Sequence, residues 1–225
     1  MEGADDKDRV LLINKPFGWT SFDVVNKLRF KLKIKKIGHA GTLDPLATGL
    51  LIICSGKMTK RIEEFMGLEK EYTGKFVLGK STPSHDLETE VSEEKDISFL
   101  TEEDIRNATH ALTGNISQLP PLHSAIRIGG KRAYQFARKG QDIDLKHRDV
   151  EVKEFEITGI ALPEATFRIV CSKGTYIRSI ARDFGNALGV GAYLTDLCRT
   201  RIGHFKLENA DNIDDVMPAA EAGPN

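Results

Sequence analysis

Apolar and polar residues alternate with two different periods along the chain, which indicates that helices and strands are both present. Residues 21–32 place their apolar side chains on one face of a helix that Ser21 would cap, although the alternating segment LRFKLKIK from Leu28 also fits a strand. The apolar run Leu50–Cys54 predicts a short buried strand, and helical spacing returns over residues 58–65. The first third of the chain therefore mixes both kinds of element.

The remainder of the chain continues this mixture. Residues 72–78 alternate and predict a strand, and residues 101–104 have the form of a capping box at the start of a helix. The apolar pairs of residues 150–157 change phase, which predicts a strand with a bulge. A further strand is expected at 167–171, followed by a helix that Thr175 would cap.

The order of these elements predicts the fold class. Strands and helices are interspersed without a strict βαβ rhythm, so we expect an α+β fold with a mixed, mostly antiparallel central sheet flanked by helices. The acidic residues 81–100 are typical of a solvated loop or insertion. We expect one catalytic domain over residues 10–207, with acidic termini at 1–9 and 208–225.

Composition excludes several classes of protein. No apolar run reaches the ~20 residues that span a bilayer, and the acidic start MEGADDKDRV is unlike a signal peptide, so we expect a cytoplasmic protein. Cys54, Cys171 and Cys198 lie far apart and form no CxxC pair, so neither a metal site nor a disulfide framework is indicated.

Charge is segregated along the chain. Residues 1–9, 84–104 and 208–225 carry −2, −8 and −5, so the rest carries +14 although the whole chain is −1. Residues 27–36 hold six bases and no acid, and residues 127–148 hold seven bases and two acids. A third basic group comprises Arg168, Lys173, Arg178 and Arg182. Each run alone is typical of a solvated face, but three together favour binding to RNA or DNA.

The segment GHAGTLDPLATGLL contains a single carboxylate, Asp44, which is also the one formally charged side chain in residues 37–56 of a chain that is 29% charged. Asp44-Pro45 fits a turn, and the surrounding neutral residues also fit a site that isolates one acid. The chain has no phosphate-binding loop with the required spacing and no GxSxG motif. A chemical role for Asp44 would therefore be that of a single carboxylate acting without metal.

Five ordered segments carry a resemblance to a known family. They are KPFGWTSFDVVNKL (15–28), GHAGTLDPLATGLLIICSGKMTK (38–60), KEYTGKFVLGKSTPSHDLET (70–89), LPPLHSAIRIGGKRAYQFARKG (119–140) and CSKGTYIRSIARDFG (171–185). Together they resemble the TruB family of pseudouridine synthases. The resemblance implies that the chain converts uridine 55 in the T-loop of tRNA to pseudouridine, without a metal or any other cofactor.

The resemblance also implies three catalytic residues. Asp44 corresponds to the essential acid, which either attacks C1′ of the ribose or removes a ribose proton, and the sequence leaves these two routes open. Arg178 corresponds to the arginine that pairs with this acid. Tyr72 corresponds to the tyrosine that stacks on the flipped uracil, although a core tyrosine at the edge of a strand fits the same pattern.

Five further residues are expected to bind or position the RNA. His39 corresponds to a histidine near the flipped nucleotide, and Lys15 belongs to a KPxGxTS-like motif that supports the catalytic loop. Leu197 would line the uracil pocket, although Cys198 stands where the family's LxRRT segment has arginine. Lys131 and Arg132 belong to the basic insertion, residues 127–148, that would clamp the T-arm phosphates.

The expected partner is the T-arm of tRNA, bound by a monomer that requires no protein partner. Many relatives continue into a PUA domain, whereas this sequence ends in an acidic segment soon after Phe205. Two other hypotheses stay open at this point. The chain could be a tRNA-folding chaperone whose catalysis is secondary, or the catalytic subunit of a guide-RNA-dependent pseudouridylation particle.

Overall fold

The structure of the protein is a computed structural model that describes residues 7–124, 127–128, 131–133, 136, 143 and 145–217. Two compact units are present. The first contains the residues up to Tyr72 together with the segment from Leu197 onward, and the second contains Thr73–Asp196.

The strands in chain order are β1 (Val10–Lys15), β2 (Ile37–His39), β3 (Thr48–Ser55), β4 (Lys70–Leu78), β5 (Lys80–Ser81), β6 (Glu93–Glu94), β7 (Gly114–Gln118), β8 (Arg127–Ile128), β9 (Lys131–Arg132), β10 (Arg148–Ala161), β11 (Glu164–Cys171), β12 (Ala192–Ile202), β13 (Phe205–Lys206) and β14 (Asp211–Asn212). The helices are α1 (Ser21–Lys31), α2 (Ile62–Gly67), α3 (Glu102–Asn107) and α4 (Ile177–Ala187), with 3₁₀ turns at Gly56–Arg61, His110–Leu112 and Leu207–Asn209. None of the helices in the described ranges is long and apolar enough to cross a membrane.

The first unit contains a mixed sheet in the order β14-β1-β3-β12-β4, with β2 beside β3 and β13 beside β12. Strands β1 and β3 are antiparallel, and their register runs from Val10 opposite Cys54 to Lys15 opposite Gly49. Strand β14 joins β1 in parallel, and β12 joins β3 in parallel. This register brings the end of β1 to the start of β3, where the loop that contains Asp44 ends.

Strand β3 is buried on both faces, which explains its uninterrupted apolar sequence. Leu51 and Ile53 belong to a core cluster that includes the apolar face of α1. Leu50 and Ile52 belong to a second cluster that includes Phe65 of α2. Because each fully buried side chain of this size contributes about 1.5–3 kcal/mol, the two clusters hold β3 firmly in place behind the loop.

Helix α1 is capped by Thr20, so the prediction that Ser21 is the cap was wrong by one residue. Thr20 has an extended backbone, and its Oγ1 accepts a hydrogen bond from the Asp23 N–H while the Asp23 carboxylate accepts one from the Thr20 N–H. The helix continues to Lys31, so the first half of LRFKLKIK is helical and not a strand. Ser21 is buried instead and bonds to another segment.

The second unit contains a sheet in the order β12-β4-β11-β10-β7. Strand β10 pairs antiparallel with both β11 and β7, and its register with β11 shifts twice, which confirms the predicted bulge. Phe76 of β4 stacks on Phe167 of β11 with ring centroids 4.1 Å apart, and Phe184 of α4 packs against Phe76 at 5.5 Å. These rings join α4 to the sheet. The predicted class, α+β with a mixed and mostly antiparallel sheet flanked by helices, is confirmed.

One local prediction in the second unit was wrong, and another held for only part of its segment. Thr175 does not cap α4; its hydroxyl donates to the Ser172 carbonyl at 3.0 Å and so stabilises the turn between strand and helix. Residues 81–100 were expected to form a solvated loop, and residues 87–99 are mostly exposed as expected, yet Ser84 and Asp86 near the start of the segment are buried. The reason is that a buried arginine pairs with Asp86, and a local charge count does not show such a partner.

The basic insertion is described only in part. Strands β8 and β9 form a short antiparallel hairpin, with Arg127 opposite Arg132 and Ile128 opposite Lys131. Much of residues 127–148 lies outside the described residues. The expected bounds of the catalytic domain, residues 10–207, stay a prediction.

Candidate active site

Asp44 lies in the loop between β2 and β3, residues 40–47, which we call the Asp44 loop. Its side chain is partly exposed. The Ala47 N–H donates to the Asp44 carbonyl at 3.1 Å and closes the turn that Asp44 and Pro45 form. The turn uses the backbone carbonyl of Asp44, so it is compatible with a chemical role for the carboxylate.

The start of α1 fixes the first half of the Asp44 loop. The buried Ser21 hydroxyl accepts a hydrogen bond from the Leu43 N–H at 2.9 Å and donates to the Leu43 carbonyl at 3.2 Å. The Gly18 N–H donates to the Pro45 carbonyl at 2.9 Å, and Gly18 has a φ of +80° that favours glycine. The residue before Asp44 and the residue after it are therefore both tied to the segment that precedes α1.

Lys15, at the end of β1, lies beneath the same loop and is fully buried. Its Nζ donates to the carbonyls of Pro16 at 2.9 Å, Trp19 at 2.7 Å and Pro45 at 3.3 Å. Burial lowers the pKa of Lys15 to about 8, while attraction to Asp44 acts in the opposite direction. The ammonium group is thus mostly protonated at neutral pH and joins the Pro45 carbonyl of the Asp44 loop to two carbonyls of the segment before α1.

Arg199 of β12 is a second buried cation at this loop and is 1% exposed. Its guanidinium donates to the carbonyls of Leu50 at 2.8 Å, Gly41 at 3.2 Å and Thr42 at 3.4 Å. Lys15 therefore holds the chain just after Asp44, and Arg199 holds it two and three residues before Asp44. The two cations fix the backbone on either side of the carboxylate.

Gly49 allows β12 to approach the end of the Asp44 loop. A Cβ atom at Gly49 would lie 2.4 Å from the Arg199 carbonyl oxygen and 2.7 Å from its nitrogen, and the φ of Gly49 is +101°. Any side chain would push away the strand that carries Arg199. The glycine-rich composition of the segment thus has a steric cause at this position.

His39 ends β2 and lies within electrostatic reach of Arg199. Burial lowers the pKa of His39, and the positive charge of Arg199 lowers it further, so the imidazole is neutral at pH 7. The charge of Arg199 also opposes the protonation of Lys15, so Arg199 acts electrostatically on both His39 and Lys15. The expected place of His39 near the reacting nucleotide stays a prediction.

Leu197 and Tyr72 also belong to the first unit. The Thr48 hydroxyl donates to the Leu197 carbonyl at 3.4 Å, so Leu197 is adjacent to the end of the Asp44 loop. The Leu197 side chain is 7% exposed, and the Tyr72 side chain in β4 is 8% exposed. The burial of Tyr72 fits a core residue as well as a stacking residue, so its catalytic role stays a prediction.

Arg178 lies in the first turn of α4, as predicted, and belongs to the second unit. Its Nε is 3.5 Å from Asp86 Oδ2, and the two side chains are 5% and 8% exposed. Asp86 Oδ1 also accepts a hydrogen bond from the Glu88 N–H at 2.9 Å. Burial lowers the pKa of the neighbouring His85 to about 4, helped by the charges of Arg182 and Arg178. Asp86 thus holds one edge of the Arg178 guanidinium.

The remaining two predicted residues, Lys131 and Arg132, lie in β9. Their backbone is described, but their side chains lie outside the described part of the structure. Their predicted binding to phosphate stays a prediction.

Comparisons with known proteins decide the family. The model of the TruB family pseudouridylate synthase N-terminal domain matches residues 29–177, more than half of the chain. The "tRNA pseudouridine synthase B" of Flavobacterium johnsoniae is 52% identical over 212 residues, covering 91% of this chain and 93% of the relative. The protein of the same name from Phocaeicola vulgatus is 51% identical over 211 residues, covering 91% and 90%. The chain belongs to the TruB family.

Solved structures also resemble this TruB-family chain. A chain of the Cbf5-Nop10-Gar1 complex matches with a TM-score of 0.73 and 31% identity, covering 93% of this chain. A chain of an H/ACA RNP bound to a substrate RNA containing 2′-deoxyuridine matches with a TM-score of 0.69 and 28% identity, also over 93% of this chain. This chain spans about half the length of both, 54% and 52%.

Sequence reasoning missed three residues that the structure places in supporting positions: Ser21 as an anchor of the loop, Arg199 and Asp86. Arg199 follows the apolar Leu197 by two residues, so the strand alternation could have indicated that this arginine points inward. Asp86 gives no comparable signal, because it lies within the most acidic stretch of this TruB-family sequence.

Proposed function

We propose that this TruB-family protein is a tRNA pseudouridine synthase that isomerises uridine 55 of the T-loop, with Asp44 as its catalytic acid. The observation that carries the proposal is the fixed backbone around Asp44. Two buried cations, Lys15 and Arg199, hold the loop carbonyls on either side of it. Relatives about 50% identical over most of their length carry the name tRNA pseudouridine synthase B, which supports tRNA as the substrate.

The reaction is an isomerisation and needs no net donor or acceptor. The N1–C1′ bond of the nucleotide breaks, the uracil ring turns, and a C5–C1′ bond forms. The proton on C5 is released and N1 gains a proton, so the atoms of uridine and pseudouridine balance. The target nucleotide must first leave the RNA fold, because its C1′ and C5 atoms are otherwise inaccessible.

Asp44 would act on the ribose in one of two ways. A carboxylate can attack C1′ and form a covalent intermediate, or it can remove a proton from the ribose. Both routes require a carboxylate oxygen held at a fixed place, and misplacement of about 1 Å can lower a rate about 10²-fold. Ser21, Lys15 and Arg199 supply that rigidity through the backbone of the loop.

Tyr72 and Arg178 are proposed as the other two catalytic residues. An aromatic ring that stacks on the flipped uracil offsets about 1–3 kcal/mol of the flipping cost and is placed to assist loss of the C5 proton. An arginine that pairs with the catalytic acid would fix the orientation of the carboxylate through two hydrogen bonds. The burial of Arg178 against Asp86 supports a guanidinium with a defined orientation.

The guide-RNA alternative has one observation in its favour, the likeness to chains of H/ACA particles. Identity to those chains is 28–31%, and this chain covers about half of each. The bacterial tRNA enzymes match at about 50% identity over nearly their whole length, which favours direct action on tRNA. Activity on tRNA without any guide RNA or partner protein would separate the two functions.

The experiment compares the wild-type chain with Asp44→Asn on an unmodified tRNA transcript, with EDTA present and pseudouridine mapped at single-nucleotide resolution. Asparagine keeps the size of the side chain and removes its charge. We expect wild type to modify only the T-loop uridine, and Asp44→Asn to be slower by at least about 10²-fold while it still binds tRNA. The exposed Asp149→Asn, on strand β10, serves as the matched control and should retain full activity.

Each other result has a definite meaning. Substantial turnover by Asp44→Asn would refute the assignment of Asp44. A wild-type chain that binds tRNA but leaves every uridine unmodified would refute the proposed enzyme. If Asp44→Asn lost turnover but still accelerated tRNA folding, the chaperone hypothesis would describe a second activity of the same binding surface.

A further inference from the structure

Helix α1 presents a face that the chemistry of Asp44 does not use. Its buried side packs into the core through Val24 and Leu28, whereas Phe22 and Phe30 on the other side are 59% and 81% exposed. Phe17, just before the helix, is also 59% exposed. Large apolar side chains are usually buried, so three exposed rings within residues 17–30 indicate a surface that binds something.

Basic side chains lie close to these rings in the sequence. Lys27, Lys33, Lys35 and Lys36 are exposed. The acidic groups close to them are Asp23, which is bonded in the cap of α1, Asp214, which is 3.9 Å from Lys27, and Asp8, on which the charge of Lys36 acts. Lys33 and Lys35 are in no ion pair among the described residues, so the far end of this face is positively charged.

We propose that the α1 surface, defined as Phe17, Phe22, Phe30, Lys33, Lys35 and Lys36, binds the RNA that flanks the target uridine. The proposal rests on the proposed function, because it takes tRNA as the bound molecule. Exposed lysines attract the phosphate backbone, and exposed rings stack on unpaired bases of any sequence. A surface that combines the two is complementary to RNA rather than to an apolar protein partner.

The position of the surface connects it to the reaction. Ser21, the first residue of α1, is hydrogen-bonded to Leu43 of the Asp44 loop. The next residue, Phe22, is therefore close to that loop. Phe17 is next to Pro16, whose carbonyl accepts a hydrogen bond from Lys15. Phe30 is eight residues after Phe22, about 12 Å farther along the helix axis, and the lysines follow. The surface therefore leads away from Asp44 over a length that several nucleotides would cover.

The first test replaces one exposed ring and measures tRNA affinity. We expect Phe30→Ser to raise the Kd for unmodified tRNA about tenfold, because stacking of one base on an aromatic ring typically changes affinity by about 5- to 100-fold. Phe99→Ser is the matched control, since Phe99 is 63% exposed but lies in the second unit next to an acidic stretch. The substitution should raise the Kd, whereas the single-turnover rate at saturating tRNA should change much less.

The second test measures the salt dependence of the same Kd. Each phosphate contact contributes about 0.7–0.9 to the slope of log K against log salt, so Lys33→Gln/Lys35→Gln should lower the slope by about 1.5. The control Lys7→Gln/Lys60→Gln removes the same charge from exposed positions in the first unit, neither of them in an ion pair among the described residues, and should change the slope by less than half as much. Equal changes in both double variants would show a general charge effect and overturn the proposal.

The two levels of inference fail in different ways. If wild type does not modify tRNA, the proposed function fails, while the Kd comparisons still decide whether the α1 surface binds RNA. If wild type is active and Phe30→Ser binds tRNA as tightly as wild type and Phe99→Ser, the α1 surface does not bind RNA. Circular dichroism and thermal unfolding of each variant would show that the substitutions on this exposed face leave the fold intact.

Discussion

Replacing Lys15 with methionine removes a fully buried ammonium group and keeps an unbranched side chain of similar size. Burial lowers the pKa of Lys15 from its ordinary value of 10.5 to about 8. At neutral pH the variant loses three hydrogen bonds to backbone carbonyls, those of Pro16, Trp19 and Pro45, but it also no longer buries a charge. The lost hydrogen bonds lower the free energy of unfolding and the removed charge raises it, so the net change at neutral pH has no predicted sign. The change of this difference with pH does have a predicted sign.

That sign follows from where the proton resides. Below about pH 8, Lys15 is protonated in both the folded and the unfolded chain, and above 10.5 it is neutral in both. Between these values the folded protein has released a proton that the unfolded chain still holds, so the free energy of unfolding rises with pH. Since a tenfold change in proton affinity is worth about 1.4 kcal/mol, the rise contributed by Lys15 is about 3 kcal/mol.

The assay is urea denaturation of wild type and Lys15→Met at a series of pH values from 7 to 10.5. Other titrating groups are shared by the two proteins, so the difference between their free energies of unfolding isolates Lys15. We expect this difference to be constant below pH 8 and then to move by about 3 kcal/mol in favour of wild type. Parallel profiles over the whole range would refute the reasoning, because they would mean that burial does not perturb Lys15.

Three further predictions concern the groups that hold the site. Arg199→Met should lower the free energy of unfolding by about 2–4 kcal/mol and slow tRNA modification, because carbonyls of the Asp44 loop lose their donor. Arg199→Lys should recover part of the stability, measured by urea denaturation, and part of the rate, measured in single-turnover assays. Gly49→Ala should destabilise the protein by at least about 2 kcal/mol, since its Cβ would lie 2.4 Å from a backbone oxygen, whereas Gly67→Ala, with open space around it, should be neutral or slightly stabilising in thermal unfolding. Asp86→Asn should cost about 3 kcal/mol, because it removes a charged partner from the buried Arg178 guanidinium, and a double-mutant cycle with Arg178→Gln should show strong coupling; additive effects would contradict the pairing.

Local patterns predicted much of the secondary structure for a physical reason. The apolar run Leu50–Cys54 is a strand covered on both faces, and the phase change within residues 150–157 is a bulge. The capping box at 101–104 is present as well. Each of these features depends on residues within a few positions of one another, so its signal lies in the local sequence.

Prediction from the local sequence failed where two adjacent residues were both suitable as the cap of a helix. Thr20 and Ser21 both suit the start of a helix, and the choice of Thr20 is explained by Ser21, whose hydroxyl bonds to Leu43 in a distant loop. Thr175 likewise stabilises the turn before α4 and does not cap the helix. Side chains that satisfy backbone groups elsewhere are not recognisable from their own segment.

By itself, the sequence determined the α+β class, the position of Asp44 in a neutral glycine-rich turn and, through five ordered motifs, the family. Only the tertiary structure decided which groups hold that turn. Arg199 donates to Leu50, 149 residues away, and Asp86 pairs with Arg178 on a helix far along the chain. A buried charge is tolerated only when folding brings it a partner, and the identity of that partner depends on the register of strands that the local pattern does not specify.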